Sequence, residues 1–228
     1  SFGLAFAGGA MVYVSLTEIF NKSSEAFGQV YDKDKAFAAA TLAFLAGMGS
    51  IALIDRLVPN PHETLDPHDP TFQENKRRHI ARVGMMAAFA ITAHNFPEGL
   101  ATFFATLENP AVGMPLALAI AIHNIPEGIS IAAPVYFATL NRKKTVLACL
   151  ASGLAEPLGA VLGYTMLKPF LSPFVFGAVF GVIAGVMVFL ALDELLPAAK
   201  RYSDGHETVY GLTSGMAVIA LSLVLFHF

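Results

Sequence analysis

Seven apolar runs divide the chain, at residues 1–20, 36–58, 80–106, 114–137, 145–167, 173–196 and 209–226. A helix needs roughly 20 mostly apolar residues to cross the hydrocarbon core of a bilayer. Every run comes close to that length or exceeds it. None alternates apolar and polar positions, and all are too long for strands. The pattern predicts an all-α polytopic membrane protein with seven transmembrane helices.

The connections between runs are short, with one exception. Residues 59–79 hold Pro59, Pro61, Pro67 and Pro70, which forbid a continuous helix there. The same stretch carries His62, His68 and His79 among acidic residues. It reads as a solvated, histidine-bearing loop rather than a metal site.

Charge gives the chain a direction. The loops after the second, fourth and sixth runs hold Arg56, Lys76, Arg77, Arg78, Arg82, Arg142, Lys143, Lys144, Lys200 and Arg201. The opposite side holds only Lys22, Lys33, Lys35 and Lys168. Lys and Arg accumulate on the cytoplasmic side of membrane proteins. The loop 59–79 is therefore expected in the cytoplasm and the carboxyl terminus outside.

Composition agrees with this picture. The chain is 55% apolar, 14% charged and has a mean hydropathy of +0.61, whereas soluble domains average about a quarter charged residues. Its single cysteine, Cys149, cannot build a disulfide framework or a thiolate metal site alone. The chain begins at Ser1, inside an apolar run. One more helix is expected before it.

Two repeats stand out. The stretch from Gly9 to Phe20 aligns with Gly185 to Leu196, with Gly, Met, Val, Leu and Glu identical at a constant offset. Nearby, Gly47-Met48 and Ile51-Ala52-Leu53 echo Gly215-Met216 and Ile219-Ala220-Leu221. In the topology above, the paired helices cross the membrane in opposite directions. Inverted repeats of this kind recur in secondary transporters, whose binding sites lie near the midplane at the repeat interface.

The other repeat carries chemistry. His94-Asn95-Phe96-Pro97-Glu98-Gly99 recurs as His123-Asn124-Ile125-Pro126-Glu127-Gly128. Ionisable residues inside apolar runs are costly, and mark functional sites by default. Residues four apart share a helix face, so His94 points with Glu98 and His123 with Glu127. Asn95 and Asn124 lie three before the same glutamates. Each proline frees the carbonyl four residues back, of Ala93 or Ile122. Gly99 and Gly128 are expected to let the two helices approach closely. Glu156-Pro157 in the fifth run offers a third carboxylate.

Imidazole and carboxylate without thiolate suit Zn, Fe, Mn, Co or Cd. A buried structural His–Glu pair is an equal rival for one copy of the motif, but two copies with Glu156 favour a metal site. Glu18, Asp193 and Glu194 fall near the ends of their runs, where a long side chain reaches the interface. Glu18 is also a candidate for lining a path to the site.

Paired HNFPEG and HNIPEG motifs followed by a Glu-Pro helix resemble the ZIP (Zrt/Irt-like) metal-ion transporters, most closely their bacterial ZupT branch. The resemblance spans essentially the whole chain, residues 1–228, as one transporter domain. It implies an eight-helix fold, three plus two plus three, of which this chain begins at the second helix. It implies a binuclear site, two ions per protomer. His94, Glu98, His123 and Glu127 resemble the ligands of one ion, and Asn95, Glu98, Asn124, Glu127 and Glu156 those of the second. Glu18 is the nearest match to a further ligand that some members place on the second helix. The implied activity is import of zinc and other divalent ions, such as iron and cadmium, across a bacterial inner membrane.

The expected partners are divalent ions and the lipid bilayer, not nucleic acid, with room for a homodimer. An intramembrane metalloenzyme is the first alternative. The spacing argues against it, because HExxH is absent and the motif is HxxxE. A metal-gated channel or sensor is the second.

Overall fold

The computed structural model describes residues 1–57, 92, 95–107, 110–170, 172–201, 203 and 205–226. Regular structure among them is helical throughout. In chain order the helices are α1 (Phe2–Val14), α2 (Phe20–Gly28), α3 (Lys33–Leu57), α4 (residues 95–107), α5 (Pro110–Thr139), α6 (Arg142–Leu167), α7 (Pro173–Leu190), α8 (Leu196–Arg201) and α9 (Glu207–Phe226). The loop 59–79 and the start of the third predicted run lie outside the described residues.

Among the described residues, five helices are long and apolar enough to cross a membrane: Phe2–Gly28, Lys33–Leu53, Arg142–Phe170, Pro173–Leu195 and Glu207–Val224. The helix Pro110–Thr139 is 30 residues long and carries the second motif.

Local sequence explains the helix ends. Asn141 caps α6, its side chain accepting from the Lys143 and Lys144 N–H groups at 3.0 and 3.2 Å. Ser172 caps α7, accepting from the Val175 N–H at 3.3 Å, with Pro173 in the first turn. Asp32 precedes α3 and accepts from the Lys35 N–H at 3.1 Å and from Lys35 Nζ at 2.6 Å. Those bonds favour the ionised form, so the Asp32 carboxyl is held below its usual range. Capping side chains of this kind satisfy the orphan N–H groups of the first turn.

The first predicted span ends too early. The helix continues past Phe20 to Gly28, because residues 20–28 are amphipathic rather than apolar. They bury Ser23, Ala26 and Phe27 and leave Asn21 and Glu25 exposed. Glu18 is therefore not at a helix end. It lies in a π-helical turn, Ser15–Ile19, between α1 and α2, where the Phe20 N–H bonds the Ser15 carbonyl. Glu194 is in the same position on the other side. A second π turn, Ala191–Leu195, joins α7 to α8, and the Leu196 N–H bonds the Ala191 carbonyl.

These two turns fall at matching positions of the Gly9–Phe20 and Gly185–Leu196 repeat. The packing repeats as well. α1 lies along α9, and α3 along α7. A methyl group on Gly9 would strike the Leu212 backbone, and one on Gly215 the Phe6 backbone. In the other pair, a methyl on Gly185 would strike Phe44 and one on Gly47 would strike Val182. Shifted by the repeat offsets, each contact maps onto its counterpart. Small residues at such crossings let helices close to van der Waals distance, which drives association where lipid is as apolar as the side chains.

Met11, Val14, Phe104, Phe180, Ile183, Met187 and Ile219 fill the interior. Edge-on ring contacts tie α4 into it, Phe104 to Phe176 at 5.1 Å and Phe103 to Tyr164 at 5.2 Å. Outward, α6 exposes Leu147, Leu150, Leu154, Leu158 and Val161. An apolar face of that length would be an aggregation hazard in water, and fits a lipid surround.

Candidate metal site

Asn95 to Gly99 of the first motif lie on α4, and the second motif lies in the middle of α5. Helix α6 packs against both. The approach to α4 is governed by glycine. A methyl group on Gly99 would strike the Glu156 backbone, and one on Gly159 the Phe96 backbone. Pro157 lies inside α6 beside this crossing.

The close crossing buries the polar residues of α4. Glu98 is 0% exposed and Asn95 4%. On α5, Glu127 is 2% exposed. Two carboxylates held inside an apolar bundle need a compensating charge or strong donors. The Thr102 hydroxyl donates to the Glu98 carbonyl at 2.9 Å, which keeps the helix intact past the motif.

Each asparagine is held by α6. Asn95 Nδ2 donates to the Ser152 carbonyl at 3.1 Å and to Ser152 Oγ at 3.2 Å. Asn124 Nδ2 donates to Glu156 Oε2 at 2.9 Å. Ser152 and Glu156 are one turn apart, on one face of α6. With their nitrogens engaged, the two amide oxygens are left over. Asn95 Oδ1 and Asn124 Oδ1 are buried and accept no hydrogen bond among the described residues. A buried acceptor left in this state costs stability. A divalent cation would satisfy both, since amide and carboxylate oxygens are hard ligands.

The structure thus brings Asn95, Asn124 and Glu156 together around α6, with Glu98 and Glu127 buried on the adjoining helices. His94 lies outside the described residues. His123 is placed on α5, but its side chain is not described. Among the described residues, no group of three or more His, Cys, Asp or Glu gathers at one point. Glu18 lies in the π turn packed on α7. The expected Gly99–Gly128 approach is not seen. Gly99 packs on α6 instead, and a methyl on Gly128 would meet nothing within 4 Å. The Gly128 carbonyl accepts from Cys149 Sγ at 3.5 Å.

Ser152 was not among the sequence candidates. Its signal was available in its place four residues before Glu156, on the same face of the same helix.

Known proteins agree with the motif. The ZIP zinc transporter family matches residues 58–223. The zinc transporter ZupT of Neisseria meningitidis serogroup B is 90% identical over 228 residues, covering 100% of this chain and 85% of that protein. The zinc transporter ZupT of Xanthomonas axonopodis pv. citri is 70% identical over 228 residues, covering 100% and 84%. The zinc transporter ZupT of Lysinibacillus sphaericus is 46% identical over 233 residues, covering 99% and 86%.

Proposed function

The chain belongs to the ZIP zinc transporter family, a family of multi-pass membrane transporters and not of enzymes, and from that premise we propose that it imports divalent metal ions through a site between α4 and α5. Zinc is the expected substrate, with iron, manganese, cobalt and cadmium within the range of the same ligands. One observation carries the reading. The two motif helices and α6 bury Glu98, Glu127 and two amide oxygens, Asn95 Oδ1 and Asn124 Oδ1, that accept no hydrogen bond among the described residues.

In this reading two ions bind per protomer. His94, Glu98, His123 and Glu127 hold one. Asn95, Glu98, Asn124, Glu127 and Glu156 hold the other. Both glutamates bridge. Glu18 lines the approach. The domain has the eight-helix fold, three plus two plus three, of the family. The transporter stands in a bacterial inner membrane, alone or as a homodimer, with residues 59–79 in the cytoplasm and the carboxyl terminus outside. Ions enter from outside and leave toward the histidine-bearing loop. Protonation of the carboxylates competes with metal and assists release.

The test is uptake of Zn2+ into proteoliposomes, with Glu98→Ala and Glu127→Ala beside the unaltered protein. Both substitutions are expected to reduce uptake to the level of protein-free vesicles. Undiminished uptake in both overturns the site. Saturation of the rate with ion concentration separates a carrier from a simple pore.

A further inference from the structure

Asn95 and Asn124 occupy the same place in their motifs but are anchored differently. Asn124 leans on Glu156, itself a proposed ligand. Asn95 leans on Ser152, which is not. Ser152 is 2% exposed and uses both its backbone carbonyl and its hydroxyl to accept from one amide nitrogen. An amide has two donors at one end and an acceptor oxygen at the other. Holding the nitrogen at two points fixes which end faces away from α6. The end facing away is Oδ1, buried and without a hydrogen bond among the described residues.

The Gly99 and Gly159 crossings make this possible, because they bring α4 and α6 to backbone contact just C-terminal to the Asn95–Ser152 pair on both helices. A looser crossing would leave Ser152 out of reach.

We propose that Ser152 is the positioning residue that turns the Asn95 amide oxygen toward the ion, and that it thereby sets how the site ranks hard against soft divalent cations. The inference rests on the metal-site reading above. An amide oxygen is a hard donor, so an ion that depends on oxygen loses more from its misplacement than one that binds well to imidazole. Mn2+ is the oxygen-dependent probe and Cd2+ the softer one.

The experiment measures initial uptake of Mn2+ and Cd2+ into proteoliposomes for the unaltered protein, Ser152→Ala, Asn95→Ala and the double variant. Direct Mn2+ and Cd2+ binding to the same purified proteins is measured by calorimetry. Outer partners of a metal ligand act on the scale of tenfold in affinity, so Ser152→Ala should lower the Mn2+ to Cd2+ ratio by about that factor. The same change made in the Asn95→Ala background should alter the ratio no further, because the effect travels through Asn95.

An unchanged ratio in Ser152→Ala overturns the proposal. So does an equal loss for both ions, which a merely structural role would give, or an undiminished effect of Ser152→Ala in the Asn95→Ala background. If Asn95→Ala itself leaves both binding and ratio unchanged, Asn95 is no ligand, and the metal-site assignment falls before the role of Ser152 is reached.

Discussion

The two copies of the hexapeptide share five residues of six, yet their surroundings are not equivalent. On α4, Gly99 is pressed against the Glu156 backbone and Asn95 is held by Ser152. On α5, Gly128 faces open space and Asn124 is held by the Glu156 carboxylate. Helix α6 breaks the equivalence, because one helix cannot present the same groups to two neighbours at once. The copies resemble each other only in what points inward. Glu98 and Glu127 are both fully buried. What a repeat preserves is the chemistry at its shared centre, and what it gives up is the packing on its outer sides.

The largest expected effect tests the shared part. Glu98→Ala and Glu127→Ala should abolish Zn2+ uptake to the same degree, read in the proteoliposome assay above. A large difference between them would mean that the copies are unequal even at the centre.

The next effect tests the unshared part. Gly99→Ala forces a methyl into the α6 backbone, and overpacking of this kind costs about 1–3 kcal/mol. Gly128→Ala meets no atom, and alanine is the better helix former by about 1 kcal/mol. Thermal melting in detergent should therefore fall for Gly99→Ala and hold or rise for Gly128→Ala. Equal shifts would erase the contrast between the copies.

A smaller effect is expected at the asparagines. Asn95→Ala and Asn124→Ala each remove one neutral oxygen ligand, and should weaken Zn2+ binding by roughly tenfold in calorimetry, the scale of one well-made polar contact. Glu156→Ala should exceed Asn124→Ala, since it removes a carboxylate and the anchor of Asn124 together.

The smallest effect is expected at the position where the motifs differ. Phe96 and Ile125 are both exposed, at 38% and 65%. Phe96→Ala and Ile125→Ala should change melting by no more than about 0.5 kcal/mol. A large loss in either would move the difference between the copies from α6 to this residue.

Much of this was legible in the residues. The helical class followed from run length and the absence of alternation. The Gly9–Phe20 and Gly185–Leu196 repeat anticipated a relation that the structure repeats in its two π turns and in two reciprocal sets of glycine contacts. The motif marked Asn95, Glu98, Asn124 and Glu127, and its echo in Glu156-Pro157 marked α6. Other features were hidden. The extension of the first span to Gly28 was masked by polar residues whose buried face appears only when α7 is beside them, where the Ser23 hydroxyl donates to the Gly177 carbonyl at 2.6 Å. The π turns have no signature in a hydropathy pattern, because a single wide turn alters which residues face inward without altering which residues are apolar.

By itself the sequence determined the helical class, which polar side chains sit inside apolar runs and which segments are related. Those are properties of composition and spacing, and spacing along a helix fixes a face. Only the tertiary structure decided what each face meets. Gly99 and Gly128 are the same residue in the same motif, and no local rule separates them. The difference arises because α6 crosses α4 at backbone contact, which turns one glycine into a requirement and brings Ser152 to Asn95.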